Sequence, residues 1–181
     1  MRKKRSAVTA VLFILTLLSA AAILFFSSQT AEESSARSRG VTAWLVRMLC
    51  GGFDSLSGEE RDALIARWHP YVRKAAHVTE FAGFAFFLTL LLKRFKGLRR
   101  APLWALGAGA VLAACDEAKQ LLAEGRSPAL RDVGIDCAGV LLGMSAAMLI
   151  GLLIRKCRRR PREEECTPAA EGERGFLHLK Y

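Results

Sequence analysis

With 181 residues the chain has the length of one ordinary domain, but it pairs 52% hydrophobic residues with 27 Lys+Arg against 17 Asp+Glu. The two properties separate along the chain into apolar runs and basic patches, which excludes nucleic acid as a partner, since that would call for a basic stripe on a folded surface. Five cysteines with neither a CxxC nor a Cys/His ligand spacing imply no disulfide framework and no structural zinc site.

In chain order, Ala7 to Phe26 carries no charge and reaches the ~20 residues needed to span a bilayer. Met1-Arg2-Lys3-Lys4-Arg5 and Ala20-Ala21-Ala22 resemble parts of a signal peptide. The apolar run exceeds the usual ~7–15 residues of such a leader, so an uncleaved helix over about 7–26 is expected. The next stretch, 27–74, contains two S/T-x-x-E capping boxes, Thr30 with Glu33 and Ser57 with Glu60. Apolar residues follow each cap near helical spacing. Two short amphipathic helices are expected there, separated by Gly51-Gly52, the second ended by Pro70.

A second span is expected over 71–92, its apolar run from Ala75 to Leu92 broken only by His77 and Glu80. A third is expected over 102–122, with Pro102 in its first turn and Asp116-Glu117-Ala118-Lys119-Gln120 near its end. Ser127-Pro128 suits the start of a fourth, over 128–154. Residues 161–181 read as a disordered tail. The predicted fold is therefore all-α: a polytopic membrane protein, residues 1–160, of four transmembrane helices with amphipathic helices in the first outer loop.

Basic residues fix the predicted orientation. Arg2 to Arg5 precede the first span, Lys93 to Arg100 link the second and third, and Arg155 to Arg162 follow the fourth. Short Lys/Arg-rich segments stay cytoplasmic, so both termini are expected inside a cell membrane crossed several times. Trp44, Trp68 and Trp104 read as interface anchors, and Lys119 and Glu124 as solvated.

Charged side chains at membrane depth cost roughly 2.5–3.5 kcal/mol each on insertion scales and usually face a protein interior. At ~1.5 Å of rise per residue, Asp116 stands about 21 Å beyond Pro102, and Asp136 about 12 Å inward of Pro128. His77 and Glu80 stand about 9 and 13 Å inward of Tyr71. Three helices thus deliver polar groups to one layer near the outer face. Arg73, His77 and Glu80 share one helix side, as do Asp116 and Gln120. Asp132 and Asp136 continue into Gly139-x-x-x-Gly143, a pattern that permits close helix contact. Metal binding by histidine with acidic partners is possible in principle, but only His77 belongs to the layer, so no metal and no cofactor is expected.

Ser27-Ser28-Gln29, Lys74-x-x-His77-x-x-Glu80, and Asp116-Glu117-x-x-Gln120 leading to Gly125-Arg126, Asp132, Asp136, Gly139 and Gly143 resemble the VanZ-like family over about residues 12–154. The family generally has Tyr where this chain has Phe81, and often His where it has Lys119. It takes its name from a glycopeptide (teicoplanin) resistance protein of Gram-positive bacteria. The resemblance implies a bacterial multipass membrane protein linked to the cell envelope.

The expected function is recognition or modification of an envelope component in an outward-facing polar pocket, such as a lipid-linked cell-wall precursor or a lipid head group. An effect on glycopeptide antibiotic susceptibility is implied with it. His77, Glu80, Asp116 and Glu117 are the candidates for proton transfer, whether or not the protein is an enzyme. Gln29, Arg73, Lys74, Gln120, Arg126, Asp132 and Asp136 are the candidates for ligand binding, with Arg126 expected to pair with one of the acids. A small proton-coupled exporter and a structural or regulatory membrane partner are the competing classes.

Overall fold

The computed structural model describes residues 2–95, 100–122 and 130–164, and among them every regular element is helical. In chain order these are α1 (Arg2–Ser27), α2 (Ala31–Leu49), one 3-10 turn (Phe53–Ser55), α3 (Gly58–Leu92), α4 (Ala101–Leu122) and α5 (Leu130–Glu164). Among the described residues three segments are long and apolar enough to cross a membrane: Ser6–Ser27, Gly58–Leu92 and Arg131–Cys157. α4 is not among them; Asp116, Glu117 and Lys119 interrupt its apolar run.

Two compact units divide the chain, residues 1–147 and 148–181. The second, as far as Glu164, is the end of α5. Leu149, Ile150 and Leu152 to Ile154 are exposed apolar residues there, followed by exposed Arg155 and Lys156.

The first unit begins with α1, whose Val8, Phe13, Ile14, Leu17 and Leu18 are all about half exposed or more. Apolar exposure this continuous is foreign to a soluble monomer and suits lipid as the surrounding solvent. After α1 the chain turns at Ser28 and Gln29, and Thr30 caps α2. Its hydroxyl accepts from the Glu33 backbone while the Glu33 carboxylate accepts from the Thr30 N–H. α2 packs on α3 and buries Thr42 and Val46. Gly52, at φ 88°, turns the chain in the left-handed region that glycine occupies without penalty. Phe53 is then buried beneath the Arg61 guanidinium.

Ser57 and Glu60 form the second capping box, but the helix it opens does not stop at Pro70. α3 runs unbroken for 35 residues with Pro70 inside it, so the expected second loop helix and the second span are one element. Proline removes one ladder hydrogen bond from a helix interior, and intact turns on both sides carry the helix through. This continuity places His69 and Arg73 in register with His77.

The core of the first unit is a cluster of Ile23, Phe81, Phe84, Ala85, Ala113 and Val140, drawn from α1, α3, α4 and α5. Small residues let α5 reach it. A Cβ on Gly139 would lie 2.6 Å from the Val78 carbonyl oxygen, and one on Gly143 would collide with the Ala82 backbone. α5 therefore seats directly on the backbone of α3, in the small-residue packing common to membrane helices.

Candidate functional site

One helical turn from this core, the same helices turn polar. Ser27 ends α1, and its buried hydroxyl lies 2.6 Å from the Ile23 carbonyl oxygen and in hydrogen-bond contact with Asp116 Oδ1. A hydroxyl carries one proton, so Ser27 donates to either acceptor in turn. From the other side Gln120 Nε2 donates to Asp116 Oδ2 at 2.6 Å, as their i, i+4 spacing on α4 allows. Asp116 is 1% exposed, held at both oxygens by neutral donors. Lys119, expected in solvent, is instead part-buried: its ammonium donates to the Leu24 carbonyl at 3.0 Å. The reason is that α4 packs on α1, which brings a carbonyl of the last turn of α1, already accepting from the Ser28 hydroxyl at 2.8 Å, within reach of a long cation.

α3 and α5 contribute a second pair. His77 Nδ1 stands 3.4 Å from Asp136 Oδ1, and Asp136 is 1% exposed. Asp136 Oδ2 and Asp132 Oδ1 are buried and have no hydrogen-bond partner among the described residues. Glu117 is also buried. Glu80 is half-buried.

Beside this layer lies a cavity of about 310 Å³. Arg73, Lys74, His77, Gln120, Asp132 and Asp136 line it together with Ala31, His69, Pro70, Arg131 and Ile135. Six of the sequence-derived candidates thus meet at one opening. Asp116, Glu117 and Glu80 do not line it. Gln29 stands apart, accepting a hydrogen bond from Arg37 at 2.7 Å at a separate cleft with Phe25, Ser28 and Glu33. Arg126 lies outside the described residues.

His69 and Arg131 are not among the candidates drawn from sequence, and Ser27 enters there only within the Ser27-Ser28-Gln29 motif. Ser27 had a signal: a hydroxyl at the polar end of an otherwise apolar span. Arg131 had one too, as the cation beside Asp132 on the face that Ile135 and Asp136 continue. His69 had none, because Pro70 made its segment look like the end of a helix. It bonds the Ser38 hydroxyl of α2 through Nε2 at 2.7 Å, which fixes one wall of the cavity.

The arrangement offers two chemistries. Arg73, Lys74 and Arg131 present charge to an anion at the cavity wall. Deeper, His77 and the paired aspartates can hold or pass a proton, or hold a cation. The sequence model of the VanZ/LLP1 family matches residues 12–152, a range that includes every residue of this layer. No curated protein and no solved structure matches the chain. Within that range Phe81 is fully buried in the core and Lys119 bonds the Leu24 carbonyl of α1.

Proposed function

The chain belongs to the VanZ/LLP1 family, and on that premise we propose that it is a four-span protein of the bacterial cell membrane that recognises or modifies an anionic envelope component. The single observation that carries the reading is the cavity that Arg73, Lys74 and Arg131 line together with Gln120 and buried Asp136. Guanidinium and ammonium groups bind phosphate or carboxylate by charge-assisted hydrogen bonds, and Gln120 adds a neutral donor for amide or hydroxyl groups. A lipid-linked cell-wall precursor, or a phosphorylated lipid head group, supplies all of these. An influence on glycopeptide susceptibility follows if the captured molecule is the antibiotic's target or its precursor.

In this reading α4 also spans the membrane, as the third of four spans, its Asp116, Glu117 and Lys119 sheltered by α1 and the neighbouring helices. The basic patches at 2–5, 93–100 and 155–162 lie in the cytoplasm, and the cavity opens outward. Cysteines placed at Glu59 and at Arg100, in a chain without native cysteines, test the orientation. Glu59→Cys is expected to react with an impermeant thiol reagent on intact cells, and Arg100→Cys only after permeabilisation. The opposite pattern puts the cavity on the inner side.

The ligand is tested by mass spectrometry of lipids that co-purify with the full chain. Wild-type protein is expected to carry anionic, phosphate-bearing lipid well above its share of the membrane, and Arg73→Ala with Lys74→Ala to lose that enrichment. Equal lipid content in both proteins refutes the reading.

A further inference from the structure

We propose that His77, Asp116 and Asp136 bind one divalent transition-metal ion, of the zinc or manganese class, at the floor of the polar layer. One ligand atom from each residue can be chosen so that all lie within 4.8 Å of one another. The three come from α3, α4 and α5, so no ligand spacing within one segment announces them.

The contact between His77 and Asp136 is the first indication. Charge-assisted hydrogen bonds of this kind run at about 2.7–2.9 Å, and 3.4 Å between Nδ1 and Oδ1 is long for one. Two ligands bound at ~2.1 Å to a tetrahedral ion stand about 3.4 Å apart. The second and independent indication is Asp136 Oδ2, a carboxylate oxygen on a side chain 2% exposed, without a hydrogen-bond partner among the described residues. An orphan buried carboxylate oxygen is costly, and an ion bound at this side chain compensates it.

The surroundings are those of a metal centre. Ligating carboxylates are normally oriented by hydrogen bonds of their own, and Asp116 has them from Ser27 and Gln120. One imidazole with two carboxylates suits zinc or manganese. Three protein ligands leave a position open, and His77 and Asp136 both line the cavity into which it would open. Ion binding does not depend on any envelope ligand, so it goes beyond the function proposed above and can fail separately.

The test uses the full chain in detergent, stripped with chelator and dialysed against Zn²⁺ or Mn²⁺, the bound metal being counted by mass spectrometry. About one ion per chain is expected. His77→Gln and Asp136→Asn should each lose it, and Ser27→Ala should weaken it by about 10- to 100-fold, the usual effect of removing a group that orients a ligand. Asp62→Asn, on the exposed start of α3, should bind like wild type.

Should the ligand variants fail to fold, X-ray absorption on zinc-loaded wild-type protein decides. One imidazole nitrogen with oxygen ligands supports the site; sulfur in the shell, or more than one imidazole, overturns it. Binding well below one ion per chain, or undiminished binding by folded His77→Gln, also overturns it. A chain that binds no ion yet enriches anionic lipid keeps the envelope reading and loses this one.

Discussion

Two layers of the first unit, one helical turn apart on the same four helices, have opposite chemistry. Ile23, Phe81, Ala113 and Val140 meet in the apolar layer. Four positions along α1, α3 and α5, and three along α4, place Ser27, His77, Asp136 and Asp116 in the polar one. The faces are the same, since i and i+3 or i+4 stack on a helix; only the residue type changes. The apolar layer explains why the helices associate, as tight packing drives association where lipid supplies no hydrophobic force. Polar contacts between membrane helices contribute little, averaging ~0.6 kcal/mol and reaching ~1.7. A layer of several acids and a histidine therefore adds little to that association.

That contrast can be broken from the packing side first. Gly143→Ala is expected to have the largest effect, because its new methyl runs into the Ala82 backbone, whereas Gly134→Ala meets nothing within 4 Å. Thermal melts in detergent should show the cooperative transition lost in the first. The second should be unchanged or stabilised by up to about 1 kcal/mol, the alanine preference of helices. Equal melts for both variants refute the close seating of α5 on α3.

Phe81→Ala comes next. It empties a side chain 0% exposed, and such deletions cost about 3–5 kcal/mol, readable by denaturant titration in micelles. Ser27→Ala removes one donor to Asp116 and should destabilise by about 1 kcal/mol on the scale of membrane hydrogen bonds. The comparison is sharpened if this variant melts almost normally yet loses lipid enrichment. A loss as large as that of Phe81→Ala would make the polar layer part of the scaffold. The smallest effect belongs to Arg39→Ala, which removes the exposed ion pair with Asp62 at 3.3 Å. Exposed pairs contribute ~0–1 kcal/mol, so its melt should barely move.

The sequence by itself determined the helical character, both capping boxes and the height of the polar residues along their helices, because each depends on local spacing. Uninterrupted apolar runs define spans by length alone. Thr30/Glu33 and Ser57/Glu60 close their boxes within one turn, and helical rise converts sequence position into distance along a helix. Glycine spacing at 139 and 143 likewise marked the face on which α5 approaches.

Tertiary structure decided the rest. Pro70 reads as a terminator, yet α3 passes through it, since flanking turns can sustain a helix that lacks one hydrogen bond. Lys119 reads as solvated until α4 packs on α1 and brings the Leu24 carbonyl to it. Above all, the pairing of His77 with Asp136 and of Ser27 with Asp116 depends on how each helix is rotated about its axis. That rotation is set by side chains interlocking across helices, and periodicity along one chain segment cannot specify it.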